Sequence, residues 1–533
     1  MALYINKGNA WYQAARRGEY VDKSGLIAVV NNTLFTDQRF SCVTRCRRFG
    51  KSMAAKMLAA YYDQTCDSRS LFADLEIAGD PTFEEHLNKY PVIYLDMNDF
   101  FTRFKNDDDI VKRIDKDVRN DIATVYPQVP QKEDDDLMAF LLRVVYETKK
   151  PFIFIIDEWD VICREYAKSS PSYTHHPTVM DDYVNWLRRL FKSANGADAF
   201  AGVYITGILP IKKYKTESAL NNFEEYSMVS PSGMARFFGF TKEEVRGIVE
   251  RYGFDFDELE KWYDGYQIGP QPSMFNPNSV MMALRRQWCE SYWGRTGATD
   301  AVAGYIDMNY DGLKDDILKM LSGDRCYVDP IGFKNDLSLI LSRDDVLTVL
   351  IHLGYLSYDR REHKCFVPNL EVSEELKNAI RDAQWKNVYD ALQQSRQLID
   401  STIAGDEKAV ARALEAAHSD DTSILSYNDE NSLSCVISLA YYYARNDYHV
   451  HREYATGKGY ADLVMIPRKN VNRPALIIEL KKDKDAKSGI DQIKERNYPQ
   501  KVAEYTGDIL LVAINYDTET KQHTCKIEQW IKS

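Results

Sequence analysis

The chain has 533 residues, enough for roughly three or four domains, and 44% hydrophobic with 12% aromatic content is ample for packed cores. A formal net charge of −12 excludes a global basic field for nucleic acid, so any such contact must come from local patches. The nine scattered cysteines contain no C-x-x-C pair and no Cys/His cluster with zinc-ligand spacing, which points to reduced thiols in a cytosol.

The opening stretch "MALYINKGNAWYQAARRGEY" lacks an apolar signal core, and no apolar run approaches the roughly 18 residues of a membrane helix. The expectation is a cytoplasmic protein with no membrane association. Five apolar runs then recur: "FSCVT" (40–44), "VIYLD" (92–96), "FIFIID" (152–157), "GVYIT" (202–206) and "YSMVS" (226–230). Short apolar runs without alternation suit strands buried on both faces. Helical patterns fill the gaps; "KSMAAKMLAAYY" places Met53, Met57, Leu58 and Tyr61 on one face. Strands alternating with helices predict a parallel, doubly wound α/β sheet, which binds ligands beyond the carboxyl ends of its strands.

At the first such end stands "TRCRRFGKS" (44–52), which fits G-x-x-x-x-G-K-[ST] except that Arg45 replaces the first glycine. Backbone N–H groups after Gly50 would cradle phosphate oxygens at a helix start. Lys51 would supply a point charge to the β- and γ-phosphates, and the Ser52 hydroxyl would ligate Mg²⁺. The third apolar run ends at Asp157, a carboxylate that would hold Mg²⁺ directly or through water, and Glu158 follows as base for the attacking water. Thr206 ends a further strand, where a hydroxyl can sense the γ-phosphate. Arg47 and Arg48 are candidate phosphate contacts, with a solvated basic edge as the alternative. The expected cofactors are ATP and Mg²⁺.

These residues carry a resemblance. "GEYVDKSGLI" (18–27), "TRCRRFGKS", "IIDEWD" and "YITG" look like the bacterial AAA-ATPase-like family, in which arginine commonly replaces the first loop glycine. Cys46 stands where proline is usual. Similarity to ATPases with a glutamate directly after the Mg²⁺ carboxylate implies that the strand ending at Thr206 lies between those ending at Thr44 and Asp157.

"KWYDGYQIG" (261–269) and "FNPNSVMMAL" (275–284) also match that family and suggest a helical lid, with turns at Gly265 and Gly269 and Pro277 in a first helical turn. Residues 344–380 read as helix, turn, two short strands and helix, resembling a winged-helix module. It shows no basic recognition helix, which favours a packing role over DNA binding. Residues 375–420 read as a charged helical connector broken at "AGDEKA". The acidic runs "NDDDIVKRIDKD" (106–117) and "QKEDDDL" (131–137) read as solvated surface. His175 and His176 have no nearby partner to complete a metal site. Arg236 and Arg188 are arginine-finger candidates by charge alone.

Near the C-terminus, "NSLSCVISLAYYYARND" (431–447) reads as a helix. It precedes the strand-like runs "YHVHREY" (448–454), "YADLVMI" (460–466) and "ALIIELK" (475–481). A helix from about Gly489 to Tyr505 follows, and "ILLVAIN" (509–515) closes the unit. Glu479 and Lys481, two apart on a strand, point the same way, and Asp462 on a paired strand can join them. Two carboxylates and a lysine are what metal-assisted phosphodiester hydrolysis needs. Asp462 and Glu479 would hold Mg²⁺ or Mn²⁺, and Lys481 would position the nucleophile or stabilise developing charge. This constellation resembles the PD-(D/E)XK nuclease superfamily, in the branch fused to AAA-ATPase-like domains. The motif reads Gly459-Tyr460-Ala461-Asp462, then Glu479-Leu480-Lys481, with Tyr460 where arginine is frequent. The family pattern adds a metal carboxylate, matching Glu430, and a catalytic glutamine, matching Gln492.

The expected architecture is an AAA-ATPase-like P-loop domain (1–250), a helical lid and winged-helix-like module with connector (251–404), and an α/β restriction-endonuclease-like domain (405–533). The leading reading is an ATP-binding, ATP-hydrolysing protein that controls an attached Mg²⁺-dependent nuclease, set in defence or mobile-element biology. The expected partner is nucleic acid, DNA ahead of RNA, with homo-oligomerisation left open. Two other readings stay open: a nucleotide-dependent switch or scaffold that binds nucleic acid or protein without cleaving, and a nuclease whose ATPase half is a relic.

Overall fold

The computed structural model describes residues 3–530, apart from 106, 133, 168–177, 194–195, 212–219, 294–303, 305–309, 335–339, 383–385, 418–429, 456–459, 470, 497, 499–501 and 503–506. His175 and His176 lie outside the described residues. The chain divides into two compact units, Met1–Trp293 with Tyr327–Val372, and Gly294–Cys326 with Ser373–Ser533. Among the described residues no helix is long and apolar enough to cross a membrane.

The first unit is built on a five-stranded sheet. Its strands are β1 (Phe40–Thr44), β2 (Val92–Asp96), β3 (Phe152–Asp157), β4 (Phe200–Gly207) and β5 (Glu224–Tyr226), in the order β2-β3-β4-β1-β5. All four pairings are parallel. β4 therefore lies between β1 and β3, as the resemblance implied. Strand alternation feeds two cores. Phe152, Phe154 and Ile156 face the helices Ile110–Val125, Leu137–Thr148 and Val179–Phe191, while Ile153 and Ile155 face the helix Lys51–Tyr62. A sheet covered on both faces explains why its central strands read as unbroken apolar runs.

Three expectations need correction here. Met53 is exposed, while Ala54 and Ala55 are buried with Met57, Leu58 and Tyr61: the small residues let the helix sit close against the sheet. The run 226–230 is not a strand, because β5 ends at Tyr226 and Ser227 and Ser230 close a turn, the Ser227 N–H donating to the Ser230 carbonyl. The acidic run 106–117 is not simply solvated. It enters the helix Ile110–Val125, which buries Ile110, Val111 and Ile114, and Asp115 accepts the Trp186 indole N–H at 3.0 Å.

Downstream, β6 (Tyr266–Ile268) and β7 (Gln271–Met274) form a hairpin with positive φ at Gly265 and Gly269. The helix Pro277–Arg286 starts on an Asn276 cap whose side chain accepts from the Asn278 and Ser279 N–H groups. After β8 (Cys326–Tyr327) come the helix Arg343–Leu353, the antiparallel pair β9 (Ser357–Asp359) and β10 (Lys364–Phe366), and the helix Leu370–Asp382. This is the helix, strands, helix order read from the sequence.

The second unit holds a five-stranded sheet in chain order: β11 (Tyr448–Ala455), β12 (Tyr460–Pro467), β13 (Ala475–Lys482), β14 (Ile509–Asp517) and β15 (Gln522–Trp530). Only β13 and β14 pair in parallel. A parallel pair needs a crossover, and the helix Ala486–Glu495 lies in it, packed on one face with Ile490 and Ile493. The helices Lys386–Ile403, Glu407–Ala417 and Glu430–Ala440 cover the other face. The sequence reading stopped at β14 and missed β15, whose residues are mostly part-exposed and polar. The crossover helix begins earlier than Gly489, because the Asp485 carboxylate caps it by accepting the Lys487 N–H, and it ends at Glu495. The preceding helix stops at Ala440, with a 3-10 turn over Tyr442–Asn446 in place of its last two turns.

Candidate functional site

Two sites form, one in each unit. In the first, β1 runs into the loop Arg45–Gly50, and Gly50 caps the helix Lys51–Tyr62 at φ 90°, a left-handed conformation that glycine adopts without strain. Lys51 is buried, and its Nζ donates to the Cys46 carbonyl at 3.0 Å, so the ammonium lies across the loop. Arg45 is wholly buried. Its Nη1 donates to the Thr44 and Tyr226 carbonyls, both at 2.7 Å, and its guanidinium lies 5.2 Å from the Phe238 ring. Burial lowers its pKa to about 10. Arg45 thus ties the loop to β5. Arg48, at φ 68°, donates to the Tyr292 carbonyl, while Arg47 stays beside Arg164 and Glu158.

Across the sheet top, Asp157 ends β3 almost fully buried. It accepts the Tyr94 hydroxyl at 3.0 Å and lies near the Ser52 hydroxyl; burial pushes its carboxyl up to about 6. A serine hydroxyl and a neighbouring carboxylate make an oxygen donor set that fits Mg²⁺. Thr206 is fully buried at the end of β4, and its Oγ1 has no hydrogen-bond partner. Glu158 sits at φ 54°, and its carboxylate accepts Arg164 Nη2 at 3.0 Å. Arg164 Nε donates to Asp160 at 2.8 Å, and Asp160 also accepts the Ile208 and Leu209 N–H groups at 3.2 and 3.0 Å. The exit of β4 is thereby bonded to Glu158 through two buried side chains. A Cβ at Gly207 would lie 2.4 Å from Asp160 Oδ1, so this contact requires glycine. Sequence reasoning missed Tyr94, Asp160 and Arg164. The available signal was the last acid of "DEWD", Asp160, followed by an arginine at i+4.

In the second unit, Glu479, Lys481 and Gln492 come together, with Asp462 beside them. Asp462 Oδ2 accepts the Leu480 N–H at 2.7 Å, which fixes it at the splayed end of the β12–β13 pair. Lys481 Nζ donates to Glu479 Oε1 at 2.9 Å and to Gln492 Oε1 at 2.8 Å, and Gln492 Nε2 donates to the same Glu479 oxygen. Glu479 is 3% exposed, and its Oε2 is buried with no partner. Burial, then the charge of Asp462, pushes its carboxyl up to about 7. A buried acid with an idle oxygen next to a second carboxylate suits a hard divalent cation. Among the described residues no three His, Cys, Asp or Glu side chains gather around one point. Glu430 opens the helix Glu430–Ala440, but its side chain lies outside the described residues, as does Gly459.

Comparison with known proteins finds a similarity for each region. Residues 12–216 match a family described as predicted AAA-ATPase, and residues 428–529 match the PD-(D/E)XK nuclease superfamily. An uncharacterized protein in the vnfD 5′ region of Azotobacter chroococcum mcd 1 is 21% identical over 418 residues, covering 75% of this chain and 72% of that protein. Among solved structures, the Aeropyrum pernix ORC2 protein (ADPNP-ADP complexes) is 12% identical, with 68% of this chain and 93% of that one covered and a TM-score of 0.25. The Aeropyrum pernix ORC1 protein in complex with DNA is 13% identical, with 68% and 94% covered and a TM-score of 0.24. At these scores neither likeness adds to the fold read from the sheet order. The chain joins an AAA-ATPase-like region to a PD-(D/E)XK nuclease-like domain.

Proposed function

We propose that this chain binds and hydrolyses ATP in its first unit and cleaves phosphodiester bonds in its second, the nucleotide state controlling the nuclease. The observation that carries the reading is the buried, unpartnered Oε2 of Glu479 beside Asp462, with Lys481 and Gln492 on the other oxygen. An apolar sheet end retains such an acid at a cost that a bound cation relieves.

In the ATPase unit, the N–H groups at the start of the helix Lys51–Tyr62 and the Lys51 ammonium receive the phosphates, Lys51 exchanging the Cys46 carbonyl for phosphate oxygens. Ser52 and Asp157 would hold Mg²⁺. Glu158 would take the proton of the attacking water, and the unpartnered Thr206 Oγ1 would be free to bond the γ-phosphate. In the nuclease unit, Asp462 and Glu479 hold Mg²⁺, with Mn²⁺ as a substitute. The cation supplies an activated water and neutralises phosphate charge. Lys481, which holds Glu479 Oε1, would direct its ammonium at the reacting phosphate, while Gln492 keeps the lysine in place. The substrate is nucleic acid, DNA ahead of RNA, and the setting is bacterial defence or mobile elements. The test is cleavage of labelled DNA and RNA by wild type and Asp462→Ala in Mg²⁺ or Mn²⁺. Equal cutting by both proteins, or none by either, refutes the reading.

A further inference from the structure

Beside the nuclease carboxylates stand two exposed side chains that no step above uses. Tyr460 opens β12, and strand alternation puts it on the same face as Asp462, two residues on. It is 64% exposed, high for a tyrosine next to a candidate catalytic carboxylate. Arg496 caps the end of the crossover helix Ala486–Glu495, one turn beyond Gln492, so the two share a helix face. Gln492 bonds Glu479, and the charge of Arg496 is felt by both Glu479 and Asp462. Arg496 is exposed, and no described carboxylate lies within ion-pair distance of it.

A single hydroxyl fixes the pair. Tyr498, fully buried, donates to the Tyr460 carbonyl at 2.8 Å and accepts Arg496 Nη1 at 3.1 Å. The guanidinium is thus anchored on one nitrogen with the rest of its fork open to solvent. The tyrosine is held at its backbone, and its side chain is left exposed.

We propose that Tyr460 and Arg496 hold one unpaired nucleotide of the substrate at the mouth of the metal site. The Arg496 fork takes a phosphate next to the scissile one, and the Tyr460 ring stacks on the base. A planar guanidinium suits two phosphate oxygens. A flat exposed ring has a partner only where a base has left its duplex stack. A formal net charge of −12 leaves recognition to local contacts, and one guanidinium fork beside one exposed ring suits a single-stranded segment. The inference rests on the nuclease reading and narrows it to single strands, overhangs or frayed ends.

The test is fluorescence anisotropy with the full-length chain, Ca²⁺ replacing Mg²⁺ so that the DNA stays uncut. The probes are a labelled single-stranded DNA oligonucleotide and a blunt hairpin of the same sequence. The single strand binds more tightly to wild type. Tyr460→Ala weakens it roughly tenfold or more, the loss expected for one stacked base, and Tyr460→Phe restores it. Arg496→Gln weakens it as well and lowers the salt slope by about one. Unchanged single-strand affinity in Tyr460→Ala, an equal loss on the hairpin, or no binding of either probe by wild type overturns the proposal. Cleavage in Mg²⁺ is scored separately. Binding that follows Tyr460 and Arg496 without any cleavage keeps the clamp and sinks the nuclease reading instead.

Discussion

Cation binding at the nuclease site should release protons in a pH-dependent way, because Glu479 starts from a carboxyl pushed up to about 7. Only the carboxylate ligates, so binding must displace the proton. At pH 6 such a group is about nine-tenths protonated and at pH 8 about one-tenth. Proton release per Mn²⁺ bound should therefore fall from nearly one to nearly zero, and apparent affinity should rise about tenfold over that range. The sign for stability is opposite. An acid whose folded pKa exceeds its ordinary 4.5 binds protons in the folded state, so the metal-free domain loses stability as pH rises from about 4.5 to 7. The gap of about 2.5 units, at about 1.4 kcal/mol each, amounts to about 3 kcal/mol. Glu479→Gln should remove this pH dependence and abolish Mn²⁺ binding at the site. Titration calorimetry in buffers of different ionisation enthalpy measures the released protons; ATP-site binding is subtracted with a Ser52→Ala, Asp157→Asn chain. A flat, near-zero release from pH 6 to 8 with cation still bound would refute the reasoning.

Lys51→Ala should lose most affinity for a fluorescent ATP analogue, whereas Glu158→Gln should bind it normally and show no phosphate release; equal affinity of wild type and Lys51→Ala contradicts the phosphate-loop assignment. Arg45→Gly, which restores the usual loop glycine, should destabilise the first unit by about 3 kcal/mol, since it opens a cavity and leaves the Thr44 and Tyr226 carbonyls without their donor. An unchanged unfolding midpoint would show that Arg45 does not tie the loop to β5. Gly207→Ala forces a methyl to 2.4 Å from Asp160 Oδ1. It should lower ATP turnover at least tenfold with analogue affinity retained, because Asp160 holds Arg164 and Arg164 holds Glu158.

The central strands were legible because burial on both faces leaves unbroken apolar runs, and the candidate site residues stood at their carboxyl ends. Edges were harder. β5 is only three residues long and pairs on one side, and β15 carries part-exposed polar residues, so neither has the pattern of a core strand. The pair Glu479 and Lys481 could be placed on one face from their spacing alone. The length of the crossover helix depended on the Asp485 cap, a side-chain contact with no periodicity. Arg45 stood out in the sequence only as the residue that replaces the first loop glycine. Its carbonyl partner Tyr226 lies 181 residues away, and no local pattern records that bond. The same holds for Asp160, whose backbone donors come from the exit of β4.

The most direct measurement is cleavage of end-labelled single- and double-stranded DNA and RNA by the full-length chain in Mg²⁺ and in Mn²⁺, with and without ATP, beside Asp462→Ala. The account predicts metal-dependent cutting that responds to ATP, is lost in Asp462→Ala, and leaves analogue binding in that variant unchanged. Cutting by Asp462→Ala at the wild-type rate, or no cutting of any substrate in either metal, would contradict it.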